Sequence, residues 1–173
     1  MSYVVVDVES DGESPYNSSM VCFGAVLVSD MTKTFYGKVK PVSSYYKPEA
    51  LAISGFTRKE HETFDDPKIV MYEFADWLRT NSIGKPVFIS DNLAFDWKWI
   101  DYYFHRFVGE NPFGFSGRRI GDLYCGMKMH SGKNSEWKYK YRKTKHTHNP
   151  VDDAKGNAEA LIAMQNLGLN IKF

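Results

Sequence analysis

Tyr3-Val4-Val5-Val6-Asp7-Val8-Glu9 is a run of β-branched residues that ends in two carboxylates one residue apart. A strand puts residues i and i+2 on one face, so Asp7 and Glu9 point the same way from what reads as a central, buried strand. Two anions about 6–7 Å apart on a low-dielectric support repel each other unless they are protonated or neutralised. A divalent cation with oxygen ligands is the neutraliser such a pair calls for, and further ligands are expected downstream.

Outward from that strand, Ser10-Asp11-Gly12-Glu13-Ser14-Pro15 reads as a turn-rich loop and Met20 to Val28 as a second strand buried on both faces. Lys33 to Val39 alternates polar and apolar residues as a third strand, and the short connections predict an antiparallel meander. From Pro48 the pattern changes. Glu49 to Ile53 favours helix, and residues 67–80 form an amphipathic helix with Pro67 in its first turn and Ile69, Val70, Phe74, Trp77 and Leu78 on one stripe. Val87 to Ser90 is a short buried strand, Asp96 to Phe107 is helical, and Ile120 to Met129 has helical character. The segment 131–148 is polar and basic and is expected to be a mobile loop. Asp152 to Leu167 closes the chain as a helix with Ala154, Ala158, Leu161, Ile162 and Met164 on its apolar face. With no internal repeat and no linker, the 173 residues read as one domain, a mixed sheet flanked by helices.

Composition excludes several classes. Hydrophobic residues at 43% and charged residues at 25% rule out a disordered or fibrous chain. The net charge of +1 hides segregation: residues 118–148 hold nine Lys or Arg against Asp122 and Glu136, whereas the first thirteen residues hold four acids and no base. An acidic site beside a basic stretch suits metal-dependent chemistry on a phosphate polymer. Cys22 and Cys125 lie too far apart for a C-x-x-C motif, so a reducing compartment is the default. No apolar run reaches membrane-spanning length, and the chain is read as soluble and cytoplasmic, without a membrane partner.

Helical spacing then selects two more acids. Asp96 heads the stripe Trp99, Ile100, Tyr103 and Phe107, so it faces inward where an unpartnered charge is costly. A helix-dipole role for this acid weighs equally at this point. Asp153 shares a face with Gly156, Asn157, Ala160, Leu161 and Met164, while Asp152 lines up with Lys155, Glu159 and Ala163 and reads as solvent-facing or capping. His148, five residues before Asp153, stands where a general base could act on a metal-activated water. His146 reads as a loop residue.

D-x-E on a first strand (Asp7, Glu9), N-x-x-F-D opening a helix (Asn92, Phe95, Asp96) and H-x-x-x-x-D-A opening the last helix (His148, Asp153, Ala154) together resemble the three motifs of the DEDDh, or DnaQ-like, 3′-5′ exonucleases. Pro48-x-Ala50-x-x-Ile53-Ser54-Gly55-Phe56-Thr57 also resembles a segment between the family's first two motifs, so the likeness spans almost the whole chain. The resemblance implies an RNase H-like α/β fold with a five-stranded mixed sheet whose first three strands are antiparallel. It implies two Mg²⁺ or Mn²⁺ ions, about 3.5–4 Å apart, held by Asp7, Glu9, Asp96 and Asp153, with His148 deprotonating the attacking water. The expected product is a nucleoside 5′-monophosphate released from the 3′ end of single-stranded RNA or DNA, RNA being favoured, by an enzyme that resembles small stand-alone members acting as homodimers. Ser10, Gly12, Ser54, Asn92 and Phe95 are the expected substrate contacts around the motifs. Tyr141, Arg142 and Lys143 join them from Trp137-Lys138-Tyr139-Lys140-Tyr141-Arg142-Lys143, where alternating aromatics and cations suit a single strand. Departures from the family pattern are Ser10-Asp11 for a Thr pair and Ser54 and Asp91 for histidines; Asp11 is expected to bring negative charge near the phosphates.

Other readings explain less. Asp7-x-Glu9-x-Asp11-Gly12 half-matches a calcium loop, but its twelfth position is Ser18 and a strand precedes it. A catalytically silent nucleic-acid-binding module would have no need of all five chemical residues. A purely structural domain would have to explain Asp7, Asp96 and Asp153 as three buried salt bridges, which are poor stabilisers.

Overall fold

Alternation along the first strand sorts its side chains between two cores. The computed structural model describes residues 1–173. Strand β1 (Ser2–Ser10) pairs antiparallel with β2 (Met20–Leu27), which pairs antiparallel with β3 (Thr34–Lys38). The chain then crosses through α1 (Pro48–Ile53), α2 (Arg58–His61) and α3 (Pro67–Asn81) to β4 (Pro86–Ser90), parallel to β1. Helix α4 (Leu93–Phe107) leads to β5 (Gly117–Arg119), parallel to β4, followed by α5 (Ile120–Lys128), α6 (Trp137–Tyr141) and α7 (Pro150–Asn166). The sheet order is β3-β2-β1-β4-β5, the five-stranded mixed sheet expected, with β1 at its centre.

Val4, Val6 and Val8 pack against Phe74 of α3 and Trp99, Tyr103 and Phe104 of α4. Tyr3 and Val5 point the other way, onto Ile120, Tyr124, Trp137, Leu161 and Met164. Each large apolar side chain so buried contributes about 1.5–3 kcal/mol. Asp7 and Glu9 continue the odd-numbered face past the last apolar neighbour, and the register slips beyond Glu9, where Ser10 pairs with Met20 rather than Val21. Such a bulge bends a strand and re-aims its side chains.

The structure departs from the sequence reading in the basic segment. Residues 137–141 are a helix rather than loop, because Trp137 and Tyr141, four apart, share the face that packs on the second core, and Trp137 is fully buried. Helix α2 and the three-residue edge strand β5 were absent from the reading of the residues themselves. No helix is long and apolar enough to cross a membrane.

Candidate active site

Two helices aim their first turns at the end of β1. In α4, Asn92 is the N-cap and its carbonyl accepts the N–H groups of Phe95 and Asp96; in α7, Asn149 is the N-cap, its side chain accepts from Val151 and Asp152, and its carbonyl accepts from Asp153. Asp96 and Asp153 thus both stand in the first turn of a helix, where the partial positive charge of the helix end favours a carboxylate. Both are buried, at 3% and 1% exposure. Asp96 Oδ1 accepts a 3.1 Å hydrogen bond from the backbone N–H of Val8, which ties α4 to β1 between the two strand carboxylates.

Glycine sets how closely α7 approaches. Gly24 is the register partner of Asp7 on β2, and a Cβ there would lie 2.4 Å from the carbonyl carbon of Pro150 and from the nitrogen of Val151. The start of α7 therefore rests on bare backbone, and Asp153 comes within reach of Asp7. A lone glycine inside the apolar run of β2 was the sequence signal for this contact.

Ligating oxygens of Asp7, Glu9 and Asp153 lie within 4.8 Å of one another. Burial lifts the Asp7 carboxyl well above the usual range, and the negative charges of Asp96, Asp153, Glu9 and Asp91 lift it further. Burial, then Asp153, raise Glu9 to about 7, with His146 opposing; burial raises Asp96 to about 8 against the Val8 N–H. Donors reach Asp96 and Asp153, whereas no hydrogen bond of the structure reaches the Asp7 carboxylate. A group of convergent carboxylates with shifted pKa and no protein counter-charge on its central member fits a hard, oxygen-seeking divalent cation.

His148 sits at the edge of this group, half-exposed, with Nδ1 3.5 Å from Glu9 Oε1. Its backbone is in the left-handed region, φ 60°, an uncommon state for a non-glycine residue and one concentrated at functional sites. The turn is held because the N–H groups of Thr147 and His148 donate to Asp153 at 3.1 and 2.9 Å. His146 lies in the loop, as read, and brings Nδ1 to 2.9 Å from Asp153 Oδ1.

Two cavities of about 380 Å³ each flank the carboxylates. One, beside Glu9, is lined by Ser10, Gly12, Ala50, Ile53 and Phe95, with Lys47, Lys98, Glu13 and Glu49 at its rim. The other, beside Asp7, is basic: Lys138, Arg142, Lys143 and Lys145 line it with Tyr139, Asp91 and Asn157. Lys138 and Asp91 form an ion pair between α6 and the loop before α4. Of the expected substrate contacts, Ser10, Gly12 and Phe95 line the first cavity and Arg142 and Lys143 the second. Asn92 is exposed at its N-cap. Ser54 and Tyr141 line neither cavity, since the Ser54 hydroxyl donates to the Leu51 carbonyl and Tyr141 packs edge-on against Tyr124.

Asp11 is also placed differently from expectation. Its side chain is wholly buried away from both cavities, accepting from the Ser19 N–H at 2.5 Å and pairing with Arg58 at 3.0 Å. It adds no charge to the carboxylate group. The sequence reading missed Gly24, the Lys138–Asp91 pair and the contact at Gly156, where a Cβ would meet the Arg142 guanidinium at 2.5 Å.

The strand order, the two helix starts and the carboxylates at the end of the central strand define an RNase H-like nuclease fold. Residues 2–165 match the model of the 3′-5′ exoribonuclease Rv2179c-like domain, and the chain belongs to that family. It is similar to the 3′-5′ DNA exonuclease Cap18 of Escherichia coli, 37% identical over 130 residues that cover 72% of this chain and 68% of that protein. Among solved structures, a full-length 3′-exonuclease superposes with a TM-score of 0.78 at 16% identity, over 99% of this chain and 84% of that one. Cell-death related nuclease 4 superposes with a TM-score of 0.77 at 19% identity over 96% of this chain, which spans 64% of that nuclease's length. At these identities the two structures bear on the fold alone.

Proposed function

We propose that this chain hydrolyses single-stranded nucleic acid from the 3′ end, releasing nucleoside 5′-monophosphates, with RNA the favoured strand. The observation that carries the reading is the convergence of Asp7, Glu9 and Asp153 within 4.8 Å, with Asp96 beside them, in a member of a 3′-5′ exonuclease family. Asp7, Glu9, Asp96 and Asp153 would hold two divalent cations, Mg²⁺ or Mn²⁺, which supply the positive charge that a scissile phosphate needs in order to enter this site and react.

The protein's own groups do the rest. His148, half-exposed beside Glu9, takes a proton from the attacking water as its oxygen bonds to phosphorus. The bond from phosphorus to the 3′ oxygen of the preceding nucleotide breaks and that oxygen takes a proton from solvent water, leaving a 5′-monophosphate and a new 3′ hydroxyl. Phe95 and Ile53 offer apolar walls for the terminal base in the cavity next to Glu9. Lys138, Arg142, Lys143 and Lys145, with Tyr139 exposed among them, take the phosphates and a base of the strand on the other side. A cytoplasmic location suits Cys22 and Cys125, which are unpaired.

A DNA strand is the second reading, favoured by the relation to a DNA exonuclease at 37% identity, whereas the family description favours RNA. Both are tested by incubating the protein with 5′-labelled single-stranded RNA and DNA of one sequence, in Mg²⁺, Mn²⁺ or EDTA. Stepwise 3′ shortening with either metal and none in EDTA is expected, with RNA shortened faster. Faster shortening of DNA would select the second reading, and no shortening of either strand would overturn both.

A further inference from the structure

The loop before α7 carries a donor set of different chemistry from the carboxylate group. His146 and His148 have their rings 4.3 Å apart, at an interplanar angle of 67°. Ligating atoms of His146, His148 and Asp153 all lie within 4.8 Å of one another. The histidines are 55% and 49% exposed while Asp153 is 1% exposed, so the set opens outward from a fixed, buried carboxylate. Two imidazoles and one carboxylate suit a borderline-soft ion, and three protein ligands plus water is a common zinc arrangement, with bonds of about 2.0–2.2 Å. Mg²⁺ prefers oxygen and keeps its waters, so it competes poorly for imidazole.

The loop is already bent for this. His148 is held at positive φ by two backbone hydrogen bonds to Asp153, which brings the rings of residues 146 and 148 together on one side. Second-sphere donors to the carboxylate are thus in place, as they are around many metal ligands. Arg142 Nη2, 3.0 Å from Asp153 Oδ1, shares the oxygen that His146 approaches, so ion entry requires it to move aside.

We propose that His146, His148 and Asp153 form a zinc-type inhibitory site that overlaps the carboxylate group through Asp153 and removes His148 from service. The inhibitory consequence rests on the exonuclease reading; the binding site does not. It is distinct from the Asp7–Glu9–Asp153 group because two of its three ligands are histidines absent from that group.

The test separates these. Zn²⁺ binding is measured by calorimetry in millimolar Mg²⁺ on the full chain and on His146→Asn and Asp7→Asn, with Co²⁺ absorption reporting imidazole ligation and circular dichroism checking the fold. One Zn²⁺ per chain is expected, weakened at least tenfold in His146→Asn and unchanged in Asp7→Asn. The Co²⁺ visible band should follow the same pattern. In the cleavage assay, Zn²⁺ should slow the wild type, and at least tenfold more should be needed to slow His146→Asn relative to that variant's own Mg²⁺-supported rate. No Zn²⁺ binding, or binding lost in Asp7→Asn and kept in His146→Asn, would overturn the proposal. A chain with no cleavage activity would count against the exonuclease reading and leave the binding arm to decide this one.

Discussion

Asp7 and Asp11 are four residues apart, both are inward-facing, and the protein treats them in opposite ways. Asp11 has a guanidinium at 3.0 Å and a backbone N–H at 2.5 Å, and Arg58 is also bonded to the Ser43 carbonyl at 2.7 Å and stacked over Tyr46. Burial still lifts its carboxyl, but Arg58 and Ser19 oppose the rise. Asp7 has no donor, and beyond burial the negative charges of Asp96, Asp153, Glu9 and Asp91 lift its carboxyl further. A buried carboxylate that the fold needs is given its counter-charge by the fold; one that is surrounded by further carboxylates is waiting for a counter-charge from outside. The difference sets Asp7 apart from Asp11, whereas Asp153, with Arg142 at 3.0 Å, combines a protein counter-charge with a place in the carboxylate group.

The comparison breaks most visibly at Asp7. Asp7→Asn should lower the cleavage rate by at least about 10³-fold, as removal of a main charge-stabilising group does, while in EDTA at pH 8 its thermal stability should equal or exceed that of the wild type because repulsion is relieved. A rate within tenfold of wild type in the labelled-strand assay would show that Asp7 is no ligand. At the other acid the effect should fall on stability: Arg58→Met leaves Asp11 buried and unpaired, at a cost of about 3–5 kcal/mol in urea unfolding, with turnover per folded molecule within a few-fold of wild type.

Gly24 links the two halves of the site. Gly24→Ala must displace the backbone at Pro150 and Val151 and hence Asp153, and a shift of about 1 Å should lower the cleavage rate by roughly 10²-fold. Wild-type kinetics in that variant would show that the approach of α7 is not what sets the geometry.

The smallest effect is in pH. Glu9 at about 7 and Asp96 at about 8 are raised in the folded chain, so the folded state holds protons the unfolded chain has released, and stability falls as pH rises through that range. His61, wholly buried and depressed to about 4, has the opposite sign: its contribution is present above about 6.5 and is lost as pH falls toward 4. Between pH 6.5 and 8 the carboxylates act alone. In EDTA the wild type should lose stability steadily there as Glu9, Asp96 and Asp7, all raised, release protons in the folded chain, and Mn²⁺ should flatten the slope. A stability that rises over that interval in EDTA would contradict the account.

How much of this could be read in the residues follows from how local each signal is. Asp7 and Glu9 declare themselves by strand period, and Asp96 and Asp153 by helix period, because each periodicity lies within one element. The partner of Asp11 is 47 residues away, so a satisfied acid looked like a free one beside the phosphates. Trp137 and Tyr141 sit among four basic residues of 137–143, and only the second core, built from β1, α5 and α7, reveals them as a buried helical face. β5 is a glycine and two arginines at the sheet edge, with no pattern to read. The contact of His146 with Asp153 depends on the left-handed turn at His148, which residue spacing does not encode.

The central claim is that the carboxylates around Asp7 are a cage for cations the protein does not itself provide. Its most direct test is Mn²⁺ binding, followed by electron paramagnetic resonance titration of wild type, Asp7→Asn and Arg58→Met. The account predicts two Mn²⁺ per wild-type chain, two in Arg58→Met and at most one in Asp7→Asn. Equal Mn²⁺ binding by Asp7→Asn and the wild type would contradict it.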